Sequence, residues 1–272
     1  MMRFVRSATA LLVVASLSGC SKDAPSTEPP EPGASAGAGG AAESSAGGLN
    51  PFVLSCAVNL DGRETLRRGW PAVLRVSAAF DHEPEADERY TLDNDALRLT
   101  VRDASDKEQP LSFTRAVASE TVLDADHPAL ELIRVLSGER TDELTKGTYT
   151  LEVSWGPARE RFEIAVEDPP PDSPRTNESR ALLEADAALQ LGHLDAALDG
   201  LDLALDDQPD SIVLLNQRAI VREQAGDDEG ALVDAQAALA AFYAQFPDAS
   251  EPPITILQVN GRVLNRLLGG AP

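Results

Sequence analysis

The sequence predicts a chain in two folded parts: an all-β sandwich over residues 51–168, then an all-α stack of helical hairpins over residues 176–270. Two observations carry this reading. From Phe52 to Val166, apolar side chains alternate with polar ones at a period of two, as in strands with one buried and one wet face. After the proline-rich stretch 169–175 the period becomes helical, and residues recur 34 positions apart: Gly192 with Gly226, Ala185 with Ala219, Ala197 with Ala231, Ala204 with Ala238. The tract before both parts, residues 20–50, is Ser, Pro, Gly and Ala with almost no large apolar side chain, too little to offset the entropy of ordering it.

Bulk composition bounds the partners. With 272 residues, 43% of them apolar, the chain can bury real cores. Asp and Glu number 45 against 23 Lys and Arg, a formal charge of −22. Such a surface repels phosphate backbones, and no cluster of basic residues interrupts it, so nucleic acid is excluded as the expected partner.

The N-terminus reads as a processing signal over residues 1–19. Arg3 and Arg6 supply a positive flank, and "ATALLVVASL" supplies an apolar run too short to span a bilayer. It ends in "LSGC", Leu17 to Cys20. This tetrapeptide resembles the lipobox of bacterial lipoproteins. That resemblance implies cleavage before Cys20, acylation of its thiol, and a membrane anchor held by several acyl chains. A plain signal peptide with a chance cysteine is the alternative. Ser21 stands where lipoproteins retained in the inner membrane of Gram-negative bacteria commonly carry Asp, so the resemblance favours the outer membrane. Residues 21–49 would then be a tether, spanning roughly 30 Å on average as a flexible coil.

The strands follow. Phe52, Leu54, Cys56, Val58 and Leu60 share one face, and Leu74, Val76, Ala78 and Phe80 share another, with Val73, Arg75, Ser77 and Ala79 opposite. Leu97, Leu99 and Val101 align, as do Tyr149, Leu151, Val153 and Trp155, and then Phe162, Ile164 and Val166. Turn signals such as "RRGWP" and "TKGT" separate them, so about seven short strands fit a sandwich. "ELTKGTYTL" resembles the corner before a late strand of immunoglobulin-like domains. The resemblance implies that the Tyr149 hydroxyl bonds back to nearby backbone, although Leu151 stands where antibody domains carry Cys.

"EDPPPDSP", Glu167 to Pro174, reads as a stiff hinge. Beyond it, Ala185, Gly192, Leu194, Ala197, Leu201, Ala204 and Pro209 form a motif that Ala219, Gly226, Ala231 and Ala238 partly repeat. The pattern resembles the tetratricopeptide repeat family, with units at about 178–211 and 212–247. Its chemistry is steric. Small Ala185 and Ala197 let two helix backbones approach, Gly192 supplies the turn, Ala204 makes room for the next unit, and Pro209 stops the second helix. There are departures: Ala181 and Leu215 replace an early aromatic, Glu184 and Arg218 replace Leu, Arg222 replaces an aromatic, and Asp228 replaces an apolar residue. The helix "ITILQVNGRVLNRLL", Ile254 to Leu268, is expected to cover the open side of unit two.

In that family the concave face of the first helices binds peptides. The matching positions are Leu182, Asp186, Leu189 and Gln190, then Asn216, Ile220, Glu223 and Gln224. From Pro174 on there is no lysine, so the lysine clamp some relatives use for carboxylate tails is missing, and a basic or neutral partner segment suits the face. A solvated helix surface is the plain alternative. Cys56 is expected to be buried and inert. His82, His127 and His193 have no ligand-spaced neighbours, and "DHEPEADE", "DND" and "DADH" lack the spacing of a calcium loop, so no metal or cofactor is expected. No phosphate loop, serine elbow or HExxH points to an enzyme. The resulting expectation is a non-catalytic, lipid-anchored scaffold whose helical part contacts an envelope protein. The alternative gives the function to the sandwich, as a glycan or peptidoglycan binder braced by the helices.

Overall fold

The computed structural model describes residues 52–59, 65–85, 87–116 and 122–268. The leader 1–19, Cys20, the tract to residue 50 and Leu60 lie outside the described residues. The strands are β1 (Phe52–Val58), β2 (Thr65–Arg67), β3 (Ala72–Phe80), β4 (Arg89–Thr91), β5 (Arg98–Arg102), β6 (Glu108–Gln109), β7 (Thr114–Arg115), β8 (Val122–Asp124), β9 (Ala129–Leu136), β10 (Gly147–Trp155) and β11 (Ala158–Glu167). One sheet runs β1-β3-β9-β7, a second β2-β11-β10-β5-β6, and β4 pairs with β8. Among the described residues, only β2 with β11 is parallel.

The alternation read from the sequence explains the packing. Phe52, Leu54 and Val58 from β1, Leu74, Val76 and Ala78 from β3, Leu151, Val153 and Trp155 from β10, and Ile164 and Val166 from β11 share one core. The two larger sheets therefore face each other across it. Polar groups at its rim are satisfied: the Trp155 Nε1 donates to the Asp93 carbonyl at 2.8 Å, and the Arg134 guanidinium donates to Asn94 O and Oδ1 at 2.9 Å each. A short helix, α1 (Gly138–Asp142), is capped by Ser137 and tied down by Thr141 Oγ1 donating to the Trp70 carbonyl at 2.7 Å. The Tyr149 hydroxyl does bond back, donating to Thr145 O at 2.9 Å and accepting from Thr145 N at 3.2 Å.

Several expectations change. The described residues hold eleven strands rather than about seven, because β2, β4, β6, β7 and β8 are only two or three residues long. Strand β9 was not expected: Leu130, Leu132 and Leu136 face the core while Val135 is buried on the other side, so no clean alternation announces it. Cys56 is half-buried at the core margin rather than buried.

The helical part comprises α2 (Pro174–Gln190), α3 (Leu194–Asp207), α4 (Ile212–Ala225), α5 (Asp228–Gln245) and α6 (Ile254–Leu267). It starts at Pro174 rather than 176, because the Ser173 Oγ accepts from Thr176 N at 3.1 Å and Pro174 suits a first helical turn. Gly192 and Gly226 turn the chain with φ of 75° and 82°. Ala185, Ala197, Ala219, Ala231 and Ala238 are all at most 1% exposed, and Ala204 is half-buried. Pro209 lies just past the end of α3. Ile256, Val259 and Val263 of α6 complete the core.

Candidate partner-binding face

The residues expected to line an open concave face are brought together on α2 and α4, but the chain itself covers much of that row. Asp186 is 2% exposed. Its two oxygens each accept from Arg75 NH2 at 3.3 Å, and Gln190 Nε2 donates to its Oδ1 at 3.0 Å. Arg75 also lies 3.5 Å from Glu131. Around this ion pair, Val73 and Val135 from the outer face of the β1-β3-β9-β7 sheet close on Ala187, with Ile133 and Leu191 beside them. The expected hinge therefore does not hold two separate bodies apart: α2 packs on the sheet. Sequence reasoning missed Arg75 and Val73 as the cover of α2. The available signal was an apolar Val73 on the strand face that should be wet.

The other end of the row is covered as well. Leu189, Asn216 and Ile220 are buried, Leu182 is half-buried, and Asn216 Oδ1 has no hydrogen-bond partner. Glu223 accepts from Arg262 at 2.8 and 2.9 Å and from Arg266 at 3.0 Å. Arg266 continues to Asp228 at 2.7 Å. Burial opposes ionisation of Glu223, but the bonds from Arg262 and Arg266 outweigh it and hold the carboxyl below its usual range. Arg266 holds Asp228 down in the same way and is itself raised. Of the expected contact residues, only Gln224 is exposed. Among those expected as open contact positions, Asp186, Asn216 and Ile220 are thus buried, and Gln190 and Glu223 are half-buried and bonded within the chain, Asp186 under the β region and Glu223 to α6.

The two arginines of α4 share one carboxylate from α5. Arg218 donates to Asp234 at 2.7 and 2.8 Å, and Arg222 lies 3.0 Å from the same carboxylate, which is 2% exposed. Arg222 also donates to the Gly230 carbonyl at 3.3 Å. The hydrogen bond to Asp234 is the chief reason the Arg218 guanidinium is held above its usual range. Two neighbouring arginines are held there because one buried aspartate sits between them.

The acidic stretches form turns. His82 lies between Asp81 (2.6 Å) and Glu88 (3.0 Å), and the bond to Asp81, then that to Glu88, raises its pKa. Glu83, Glu85 and Asp87 line the same shallow hollow. Asp93 caps the turn Asn94–Ala96, Asp95 pairs with Arg115 at 2.7 Å, and Asp124 accepts from Asp126 N and His127 N. Among the described residues no group of three His, Cys, Asp or Glu side chains is placed to hold a metal ion, and no helix is long and apolar enough to cross a membrane.

No protein-family model matches the chain, and neither does any curated protein. Among solved structures, it is similar to a family 123 glycoside hydrolase from Clostridium perfringens studied for glycolipid glycan hydrolysis. The match is 7% identical, with a TM-score of 0.25, and covers 43% of this chain and 27% of that one. A likeness of that size carries no argument about fold or activity.

Proposed function

We propose that this chain is a non-catalytic lipoprotein of a bacterial envelope, anchored through Cys20, with an immunoglobulin-like sandwich and a tetratricopeptide-like helical part that serves protein–protein contact. The anchor rests on the LSGC sequence at Leu17–Cys20, and the observation that carries the helical part of the reading is the burial of Ala185, Ala197, Ala219, Ala231 and Ala238, each at most 1% exposed. Small residues in that register are what close-packed helical hairpins need. The Tyr149 bond to Thr145 supports the sandwich in the same way.

The internal contacts refine where a partner binds. Asp186 and Glu223 are engaged within the chain, so contact falls on surface outside their row. Because α2 rests on the β region, the test keeps the chain whole. Labelled palmitate should enter the full chain and fail to enter Cys20→Ser. In-cell cross-linking with photoreactive residues at exposed positions of α3 and α5, Leu203 and Val233, should capture an envelope protein. Absence of label at Cys20 would remove the anchor, and capture only from positions in the β region would move the function to the sandwich.

A further inference from the structure

The connection from β3 to β4 is tied together by one side chain of a type that titrates near neutrality. His82 Nδ1 lies 2.6 Å from Asp81 Oδ1, and its Nε2 lies 3.0 Å from Glu88 Oε2. An ionised carboxylate only accepts hydrogen bonds, so both ring nitrogens need a proton, and only the imidazolium carries two. A neutral ring has one N–H and turns the lone pair of its other nitrogen toward a carboxylate.

The two contacts differ in what they hold. Asp81 is the preceding residue, whereas Glu88 is six residues on, so the second bond closes the connection. Glu88 gathers further bonds: its Oε2 accepts from Glu85 N at 3.3 Å, its Oε1 accepts from the Tyr90 hydroxyl at 3.4 Å, and its N donates to Glu85 O at 3.0 Å. Rings lie behind it. His82 stands edge-on to Phe80 at 5.6 Å, Phe80 is 5.9 Å from Tyr90, and Tyr90 is 6.3 Å from Phe52 of the core. The same few residues therefore link an exposed connection to the margin of the β core.

The charges around the ring are negative. Asp81, Glu83, Glu85, Asp87 and Glu88 fall within eight residues, and a protonated His82 is the one cation among them. Glu83, Glu85 and Asp87 line the hollow that His82 shares with Glu88. On the adjoining strands, Arg89 of β4 stands opposite Asp124 of β8, whose carboxylate also lies 3.1 Å from His127. Without the imidazolium charge, the carboxylates of the connection repel one another.

We propose that His82 is a pH-sensitive clasp: protonated, it bridges Asp81 and Glu88 and holds the β3–β4 connection closed; neutral, it releases Glu88, and β4 loosens at the core margin. The Asp81 contact is the one kept, because holding a neighbour closes no loop. The bond to Asp81, then that to Glu88, raises the pKa of His82, and the bond from His82 holds Glu88 below its ordinary value. Tyr90 is raised, by its partial burial and then by Glu88, so it keeps its donor proton through the same range. With a raised folded value, the His82 contribution is complete below 6.5 and is lost as pH rises through that higher value. The Glu88 contribution is complete above 4.5 and is lost as pH falls through its depressed value. The clasp is closed only between those limits.

Two measurements on the full chain test this. Ring nitrogen shifts of His82, followed by NMR across pH, should show both nitrogens protonated at about pH 6 and a midpoint above the ordinary 6.5, which Glu88→Gln should lower. Hydrogen exchange, corrected for its intrinsic pH dependence, should show the peptide carrying Glu85, Glu88 and Tyr90 losing protection about threefold or more from about pH 6 to about pH 9. Strands β10 and β11 should keep theirs. His82→Gln, with the circular dichroism of the parent, should exchange at the parent's faster rate at both pH values. A His82 midpoint at or below 6.5, or a singly protonated ring at about pH 6, overturns the proposal. So does protection that is equal at the two pH values, or a loss with rising pH that survives in His82→Gln.

Discussion

In the β region, Trp155, Phe52, Leu74, Leu132 and Leu151 fill the space between two sheets, each nearly inaccessible to water, and partners come from strands far apart in sequence. In the helical region, Leu201, Leu214 and Ile256 are buried as completely, but Ala185, Ala197, Ala219, Ala231, Ala235 and Ala238 occupy many of the buried positions, and neighbours come from adjacent helices. The first core is held by the area its large side chains remove from water. The second adds to such burial the close backbone approach that its alanines allow, reinforced by ion pairs such as Arg218–Asp234. At the most buried positions of each, the sheets should therefore fail chiefly when a side chain such as Trp155 is cut back, and the helices when an alanine at a helix contact is enlarged.

The largest expected effect is on the β side. Trp155→Ala removes the biggest fully buried side chain together with its bond to Asp93, and should cost about 3–5 kcal/mol in urea unfolding. The mirror experiment is Ala231→Leu, which forces α4 and α5 apart and should cost about 2–3 kcal/mol. Cutting Ala231 back to glycine should cost only about 1 kcal/mol, the helix-propensity difference, and the volume-conserving Leu151→Met less than about 1.5 kcal/mol. If enlarging Ala231 were neutral, the contrast between the two cores would be lost.

Asp234→Asn comes next. It leaves Arg218 and Arg222 without their shared carboxylate, and should cost about 1–2 kcal/mol, less than a fully buried pair because both arginines remain partly in water. Tyr149→Phe removes the hydroxyl that both donates to and accepts from Thr145, and should cost about 1 kcal/mol by thermal unfolding. The smallest effect is one of pH. Glu223 and Asp228 are held below their ordinary values of 4.5 and 3.8. Their contribution is complete above the ordinary range and is lost as pH falls through their depressed values. Hydrogen exchange should accordingly show α6 loosening below about pH 4, before β10 and β11 do.

What was legible in the sequence follows the same division. Where a strand has one wet face, as in β1 and β10, the alternation of Phe52, Leu54 and Val58 or of Tyr149, Leu151, Val153 and Trp155 reads directly as a buried face. Where both faces are covered, as in β9 with Leu132 inside and Val135 under α2, alternation vanishes and the strand goes unread. Short strands such as β6 and β7 have no period to read. In the helices, Gly192 and Gly226 mark turns because a positive φ favours glycine. The expected binding row was legible as a row but not as a covered one. Nothing local to Asp186 or Glu223 announces that Arg75, 111 residues away, or Arg262, 39 residues away, will reach it. The same holds for Arg218 and Arg222, whose shared partner Asp234 lies 16 and 12 residues away on α5.

The most direct test of the contrast is hydrogen exchange, resolved by peptide, on the full chain and on Ala231→Leu. The account predicts that protection falls across α4, α5 and α6 while β10 and β11 keep theirs. Unchanged protection in the three helices would contradict it, because enlarging that alanine would then have been absorbed without separating the helices it joins.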